Sequence, residues 1–208
     1  MPYNYLGTTF EPDSLSYKDV IHAYSNGYFP LGDDDGLVSW FDHTPRAIVP
    51  LTPKGLNISR SLKQVITKQT YEVKVDTDFY SVINSCAELH GDTWITKVIV
   101  NLYLELFNKG FAHCVEAYND GKLVGGLYGV AYRSAFFGES MFHVKDNASK
   151  VCVVRLYEIL LMNKFKLFDI QMKTPVFESF GCVEISKEEY TPLLKNALMH
   201  NSNFVVIK

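Results

Sequence analysis

Glu139, Asp169 and Gln171 are the side chains of this 208-residue chain whose types and spacing could do chemistry. Glu139 stands in Phe137-Gly138-Glu139-Ser140-Met141-Phe142, a single carboxylate among apolar residues at the end of a predicted strand. That setting suits a site holding a charged group beside a greasy one. Charge placement alone favours a solvated hairpin for the same residue. Asp169 and Gln171 fall in a predicted strand over Lys166–Met172. Residues two apart on a strand share a face, so the two would point the same way with Leu167. Phe168, Ile170 and Met172 would form the opposite, apolar face. An Asp and a Gln on an inner strand are costly to bury without partners. They therefore mark either a solvated strand end or a polar site that orients a nucleophile or steadies an amine.

The elements around them can be read from pattern. Asn119-Asp120-Gly121 tolerates positive φ and predicts a hairpin turn. Gly125, Gly126 and Gly129 interrupt the next strand, where absent side chains let a backbone or ligand come close. A helix is predicted over 14–26, capped by Ser14, with Leu15, Val20, Ile21 and Tyr24 at helical spacing and Gly27 as its stop. Short strands are predicted in Leu37–Phe41 and Arg46–Leu51, and Pro50 and Pro53 mark a boundary. Ser59 caps a helix over Arg60–Lys68, and Tyr71–Phe79 alternates as a half-buried strand. Further helices are expected over Thr96–Lys109, stopped by Gly110, and over Ala148–Asn163, capped by Asn147. Phe204–Ile207 is a closing strand candidate. This order predicts a mixed α/β sheet, which commonly binds ligands at the carboxyl ends of its strands.

Composition bounds the function classes. With 47% hydrophobic residues and a mean hydropathy of −0.02, the chain reads as one large or two small globular domains. No apolar run is long enough to span a bilayer, and Met1–Asp13 lacks a signal-peptide pattern, so a cytoplasmic protein is expected. The four cysteines are dispersed without a CxxC pair, which argues against structural zinc. A net charge of −3 argues against a broadly basic nucleic-acid coat and leaves room for a local patch. Arg60 and Lys63, three apart at a predicted helix start, share a face that could meet phosphates.

Several segments together resemble the leucyl/phenylalanyl-tRNA–protein transferase family. They are GYFPL at 27–31, the Trp40–Ala47 segment ending in PRA, ISRSLK at 58–63 and TWIT at 93–96. HCVEAY at 113–118, LVGGLYGVA at 123–131, FGESMF at 137–142, NASK at 147–150, DIQ at 169–171 and the later SFGCVEI complete the set. Their shared order and spacing, over nearly the whole chain, carry the resemblance. It implies a small N-terminal α/β domain, residues 1–54, and an acetyltransferase-like (GNAT) domain, residues 55–208. It also implies transfer of Leu or Phe, with Met a further candidate, from aminoacyl-tRNA to proteins with N-terminal Arg or Lys, marking them for degradation. No cofactor or metal is implied, and a monomer is expected.

Carried over position by position, the resemblance makes Asp169 and Gln171 orient or activate the attacking amine. Gln171 reads as the acceptor, polarised by Asp169, because an amide is no base. Glu139 is implied to bind the donor's amino group or the acceptor's cationic side chain. Leu127, Phe136, Met141, Val153, Leu156 and Leu160 match or neighbour an apolar aminoacyl pocket, though ordinary core packing accounts for residues of this kind as well. Trp40, Phe41 or Trp94 would stack on the terminal adenine, and Arg60 and Lys63 would meet tRNA phosphates. The chain departs from the family pattern at Phe41, where a second Trp is usual, and at Val176, where a His is usual. Glu178 is a further change that bears on specificity. An acyl-CoA-dependent N-acyltransferase and a non-catalytic tRNA- or N-terminus-binding module are the alternatives. The first lacks a pyrophosphate loop before the Asn147 helix.

Overall fold

The computed structural model describes residues 4–10, 15–89 and 94–206. In chain order the elements are β1 (Asn4–Phe10), α1 (Tyr17–Ser25), β2 (Phe29–Gly32), β3 (Val38–Asp42) and β4 (Arg46–Ile48). They continue with α2 (Arg60–Thr67), β5 (Glu72–Val75), α3 (Phe79–Leu89), α4 (Lys97–Asn108), β6 (Ala112–Asn119), β7 (Lys122–Tyr132) and β8 (Ala135–His143). The last are α5 (Ala148–Met162), β9 (Leu167–Asp169), α6 (Pro175–Phe180), β10 (Val183–Ile185) and α7 (Lys187–Leu198).

Local chemistry explains most boundaries. Ser59 Oγ accepts from the Leu62 N–H and caps α2 as the sequence predicts, and Thr96, expected inside its helix, instead caps α4 by accepting from the Ile99 N–H. Helix α1 starts later than the sequence suggests. The expected cap Ser14 lies outside the described residues, and Asp19 instead folds back to accept from the Ser16 N–H at 2.9 Å. Asn147 precedes α5 in a left-handed conformation without a side-chain cap bond. Asp120 and Gly121, at φ 52° and 73°, make the β6–β7 turn. Helices α3, α6 and α7 were not foreseen, and no strand forms over Phe204–Val206; Ile207 lies outside the described residues.

The strands form two sheets: a three-stranded one in the order β1-β3-β2, and a seven-stranded one in the order β10-β4-β9-β8-β7-β6-β5. Among the described residues, only the β8–β9 pair of the large sheet is parallel. The expected division after residue 54 falls downstream of β4, which is already hydrogen-bonded within the large sheet. One core cluster joins α1, α3, α4 and the small sheet to one face, and a second packs α5 and α2 against the other. The alternation along β9 follows the sequence. Leu167 enters the first cluster, and Phe168 and Ile170 enter the second.

An irregularity in the β7–β8 pair sets the position of Glu139. Tyr128 pairs with Ser140 and Gly129 with Gly138, so Glu139 is an extra residue, a β-bulge in β8. Bulges bend the strand and re-aim a side chain. Gly129, opposite the bulge, has no room for a methyl group. A Cβ there would lie 2.3 Å from the Phe137 carbonyl oxygen and 2.6 Å from the Phe136 ring. Gly129→Ala is therefore expected to destabilise the fold by about 3 kcal/mol, the upper range of overpacking. Chemical denaturation checks this, and a wild-type unfolding midpoint would show that the bulge tolerates a side chain.

Candidate active site

The bulge opens onto a cavity of about 510 Å³, bordered by β2, β7, β8, β9, α5 and α6. Glu139 lines it together with Gln171, Leu127, Met141, Leu156, Phe168, Ile170, Val176 and Phe177. A carboxylate and an amide thus share a chamber whose other walls are largely apolar. The solvated-hairpin reading of Glu139 is overturned.

Glu139 is tied down from both sides. The Tyr103 hydroxyl donates to Oε2 at 2.8 Å, and Gln171 Nε2 donates to Oε1 at 3.2 Å. Tyr103 is hydrogen-bonded in turn to the Tyr24 hydroxyl, so a chain of tyrosines runs from α1 through α4 to the cavity. Burial pushes the Glu139 carboxyl up to about 7, against the downward pull of Tyr24 and Tyr103; the Asp169 charge adds to the rise and Arg46 opposes it. Burial, then the Glu139 charge, raises both tyrosines well above their ordinary range. They stay neutral and serve as donors.

Asp169 and Gln171 are placed differently from the sequence expectation. Strand β9 ends at Asp169, and the chain reverses over Gln171, with the Met172 N–H bonded to the Ile170 carbonyl at 2.6 Å. Gln171 therefore adopts φ 54° rather than continuing the strand. The two side chains do not meet. Asp169 accepts the Gln171 backbone N–H at 2.8 Å, and the side-chain amide turns to Glu139. The side-chain amide is hydrogen-bonded to Glu139 rather than to Asp169, a correction to the side-chain contact expected of Asp169. Nor is Asp169 at a solvated strand end: it is 0% exposed and Gln171 is 8% exposed.

What surrounds Asp169 is an ion pair. Arg46 Nε and Nη2 reach its carboxylate at 3.0 and 2.9 Å, and the Tyr190 hydroxyl donates at 2.6 Å. The guanidinium lies over the rings of Phe29 and Tyr190, 5.3 and 4.7 Å from their centroids. Burial works against its charge, but the Asp169 charge and hydrogen bonds, with smaller help from Tyr190 and Glu139, together outweigh it and hold Arg46 protonated. The sequence reading missed Arg46, Tyr24, Tyr103 and Tyr190. Arg46 could have been sought as a cation in an apolar stretch; a tyrosine on a helix gives no sign of what its hydroxyl meets.

The remaining candidates divide. Of the six pocket residues, Leu127, Met141 and Leu156 line the cavity, whereas Phe136, Val153 and Leu160 are 0% exposed and pack in the second core cluster. Phe29, Leu31, Phe168, Ile170 and Phe177 line it without having been foreseen. Among the aromatic candidates, Trp94 lines the cavity. Trp40 is buried in the first cluster, which leaves no face for a base, and Phe41 packs half-buried against that cluster. Arg60 and Lys63 are exposed in the first turn of α2 and do not line the cavity. No helix among the described residues is long and apolar enough to cross a membrane.

Comparison with known proteins places the chain. The sequence model described as leucyl/phenylalanyl-tRNA protein transferase matches residues 50–195, and the model of that family's N-terminal domain matches residues 13–42. The chain is 42% identical over 190 residues to the leucyl/phenylalanyl-tRNA–protein transferase of Herpetosiphon aurantiacus, covering 91% of this chain and 98% of that protein. It is 43% identical over 195 residues to the protein of the same name from Prosthecochloris aestuarii, covering 92% and 100%. Among solved structures, the C-terminal domain of a candidate lysylphosphatidylglycerol synthetase from Agrobacterium fabrum aligns with a TM-score of 0.42 and 13% identity. That alignment covers 88% of this chain and 57% of that one, and is too remote to bear on fold or function. The chain belongs to the leucyl/phenylalanyl-tRNA protein transferase family, a family of aminoacyltransferases.

Proposed function

We propose that this protein transfers leucine or phenylalanine, with methionine a further candidate, from aminoacyl-tRNA to the α-amine of proteins bearing N-terminal Arg or Lys. The modified proteins would be marked for degradation. The observation that carries the reading is the cavity itself: an apolar chamber for the aminoacyl side chain, with Glu139 and Gln171 at one wall. Leu127, Met141 and Leu156 would grip that side chain, with Phe136, Val153 and Leu160 behind them, and Trp94 would stack on the terminal adenine. Arg60 and Lys63 would meet tRNA phosphates. We assign residues 55–208 to an acetyltransferase-like domain and residues 1–54 to a small N-terminal domain that lends β4 to the large sheet, in a cytoplasmic monomer.

The geometry suits aminoacyl transfer. The ester to the 3′ ribose is already activated, so positioning supplies much of the acceleration, on the order of 7–11 kcal/mol. An ionised Glu139 only accepts hydrogen bonds, so the Gln171 NH₂ faces it. The Gln171 carbonyl is then left to accept from the incoming α-amine and aim its lone pair at the ester carbon. As the C–N bond forms, Glu139 takes the amine proton. As the C–O bond to ribose breaks, that proton passes to the departing hydroxyl. Asp169 serves by holding the Gln171 backbone.

The test is transfer of labelled Leu, Phe and Met from charged tRNA to peptides beginning with Arg, Lys or Ala, with acyl-CoA donors in parallel. Transfer from tRNA to the Arg and Lys peptides alone, without ATP or CoA, is expected. Activity with acyl-CoA only would overturn the reading.

A further inference from the structure

We infer that Arg46 and Tyr190 act with Asp169 as one buried positioning unit that sets the direction of the Gln171 side chain; only the kinetic arm of its test rests on the aminoacyl-transfer reading. The Asp169 carboxylate is saturated. Oδ1 takes Arg46 Nε at 3.0 Å and the Gln171 N–H at 2.8 Å. Oδ2 takes Arg46 Nε at 3.1 Å, Arg46 Nη2 at 2.9 Å and the Tyr190 hydroxyl at 2.6 Å. A carboxylate offers about four lone-pair sites, so none remains for a substrate amine. Asp169 is 0% exposed and does not line the cavity. It acts through what it holds, and what it holds in the direction of the cavity is the backbone of Gln171.

That backbone needs holding. A glutamine at φ 54° is in a sparsely populated region and persists only where its surroundings over-determine it. Here strand β4 grips it at both ends. Ala47 N–H donates to the Gln171 carbonyl at 3.0 Å, and the adjacent Arg46 fixes the carboxylate that takes the Gln171 N–H. Tyr190 closes the arrangement from α7, its ring over the guanidinium and its hydroxyl on Asp169. Gly27 admits that ring, since a Cβ there would lie 3.2 Å from Tyr190 Cε1. Released from this clamp, Gln171 would relax toward ordinary φ and its amide would leave Glu139.

Tyr190→Phe is the cleanest probe, because it deletes one hydroxyl and keeps the ring. Its kcat for transfer is expected to fall about 10-fold, the range for a hydrogen bond to a charged group. KM for charged tRNA should stay within about twofold, since an interaction absent from substrate binding shows in kcat. Arg46→Lys keeps the charge but loses the fork, and should likewise lower kcat rather than substitute for arginine. A second readout needs no activity. Backbone hydrogen exchange at Gln171 should quicken about 10-fold in Tyr190→Phe, while exchange at Cys114, whose N–H is held by Asp76, stays unchanged. Wild-type exchange at Gln171 in the folded variant, or an unchanged kcat, overturns the inference. If the wild-type protein transfers nothing from tRNA, the proposed function falls, and the exchange measurement still decides this one.

Discussion

Glu139→Gln lowers kcat/KM for the acceptor peptide by about 10²- to 10⁴-fold if the carboxylate is the group that takes the amine proton. The pH profile makes the expectation specific. Glu139 must be ionised to accept, and its carboxyl is held at about 7. The acceptor α-amine must be neutral, and its ordinary value is about 8. Both requirements are met by raising the pH, so log kcat/KM should climb with a slope of about 2 below pH 7 and about 1 from 7 to 8. In Glu139→Gln the first limb vanishes, leaving a slope of about 1 below pH 8. A slope still near 2 in the variant would assign the second proton to another group. The same site bears on stability with a determinate sign. A carboxyl whose value is raised by folding favours the folded state fully below its unfolded value and loses that contribution as pH rises through about 7. At pH 8 the glutamine variant should therefore be more stable than wild type, by about 1–3 kcal/mol. Equal stability at pH 8 and pH 4 would contradict the burial argument.

Arg46→Ala is expected to be the most damaging single change to the fold. It removes the cation beside a carboxylate that is 0% exposed, and breaking a buried pair from one side costs about 3–5 kcal/mol. For a chain of this length the melting temperature should drop by on the order of 10 °C. Adding Asp169→Asn to Arg46→Ala should recover part of the loss, because a neutral amide is cheaper to bury than an unpaired charge. Purely additive losses in the double variant would mean that the pair does not act as one. Calorimetry on the two single variants and the double variant decides it.

Much of the scaffold was legible in the sequence, because its causes are local. Ser59 caps its helix by its own hydroxyl, and Asp120-Gly121 turns because those residues tolerate positive φ. The alternation that sends Leu167 one way and Phe168 the other was readable too. The family motifs singled out Glu139, Asp169 and Gln171. Their wiring was not legible, because it depends on partners far along the chain. Arg46 meets Asp169 across 123 positions, and Tyr103 meets Glu139 across 36. The strand rule failed at Gln171 because β9 stops at Asp169, and nothing in Asp-Ile-Gln-Met signals a left-handed glutamine. Phe136, Val153 and Leu160 show a milder failure: periodicity separates inside from outside, but not a cavity wall from the core behind it.

The order of strands in the large sheet has a consequence for synthesis on the ribosome. Strand β4 sits between β9 and β10, so it is made early and has no neighbour in the sheet until almost everything else has emerged. Arg46 waits for Asp169, and the pair then waits for Tyr190 on the final helix. A chain cut before α7 can carry Glu139, Gln171 and much of the apolar chamber, yet it lacks the Tyr190 hydroxyl that completes the hold on Asp169. The hold on Asp169 is thus completed only once α7 is in place. Long-range pairing of this kind also slows folding, since distant segments must be brought together before their contacts stabilise anything.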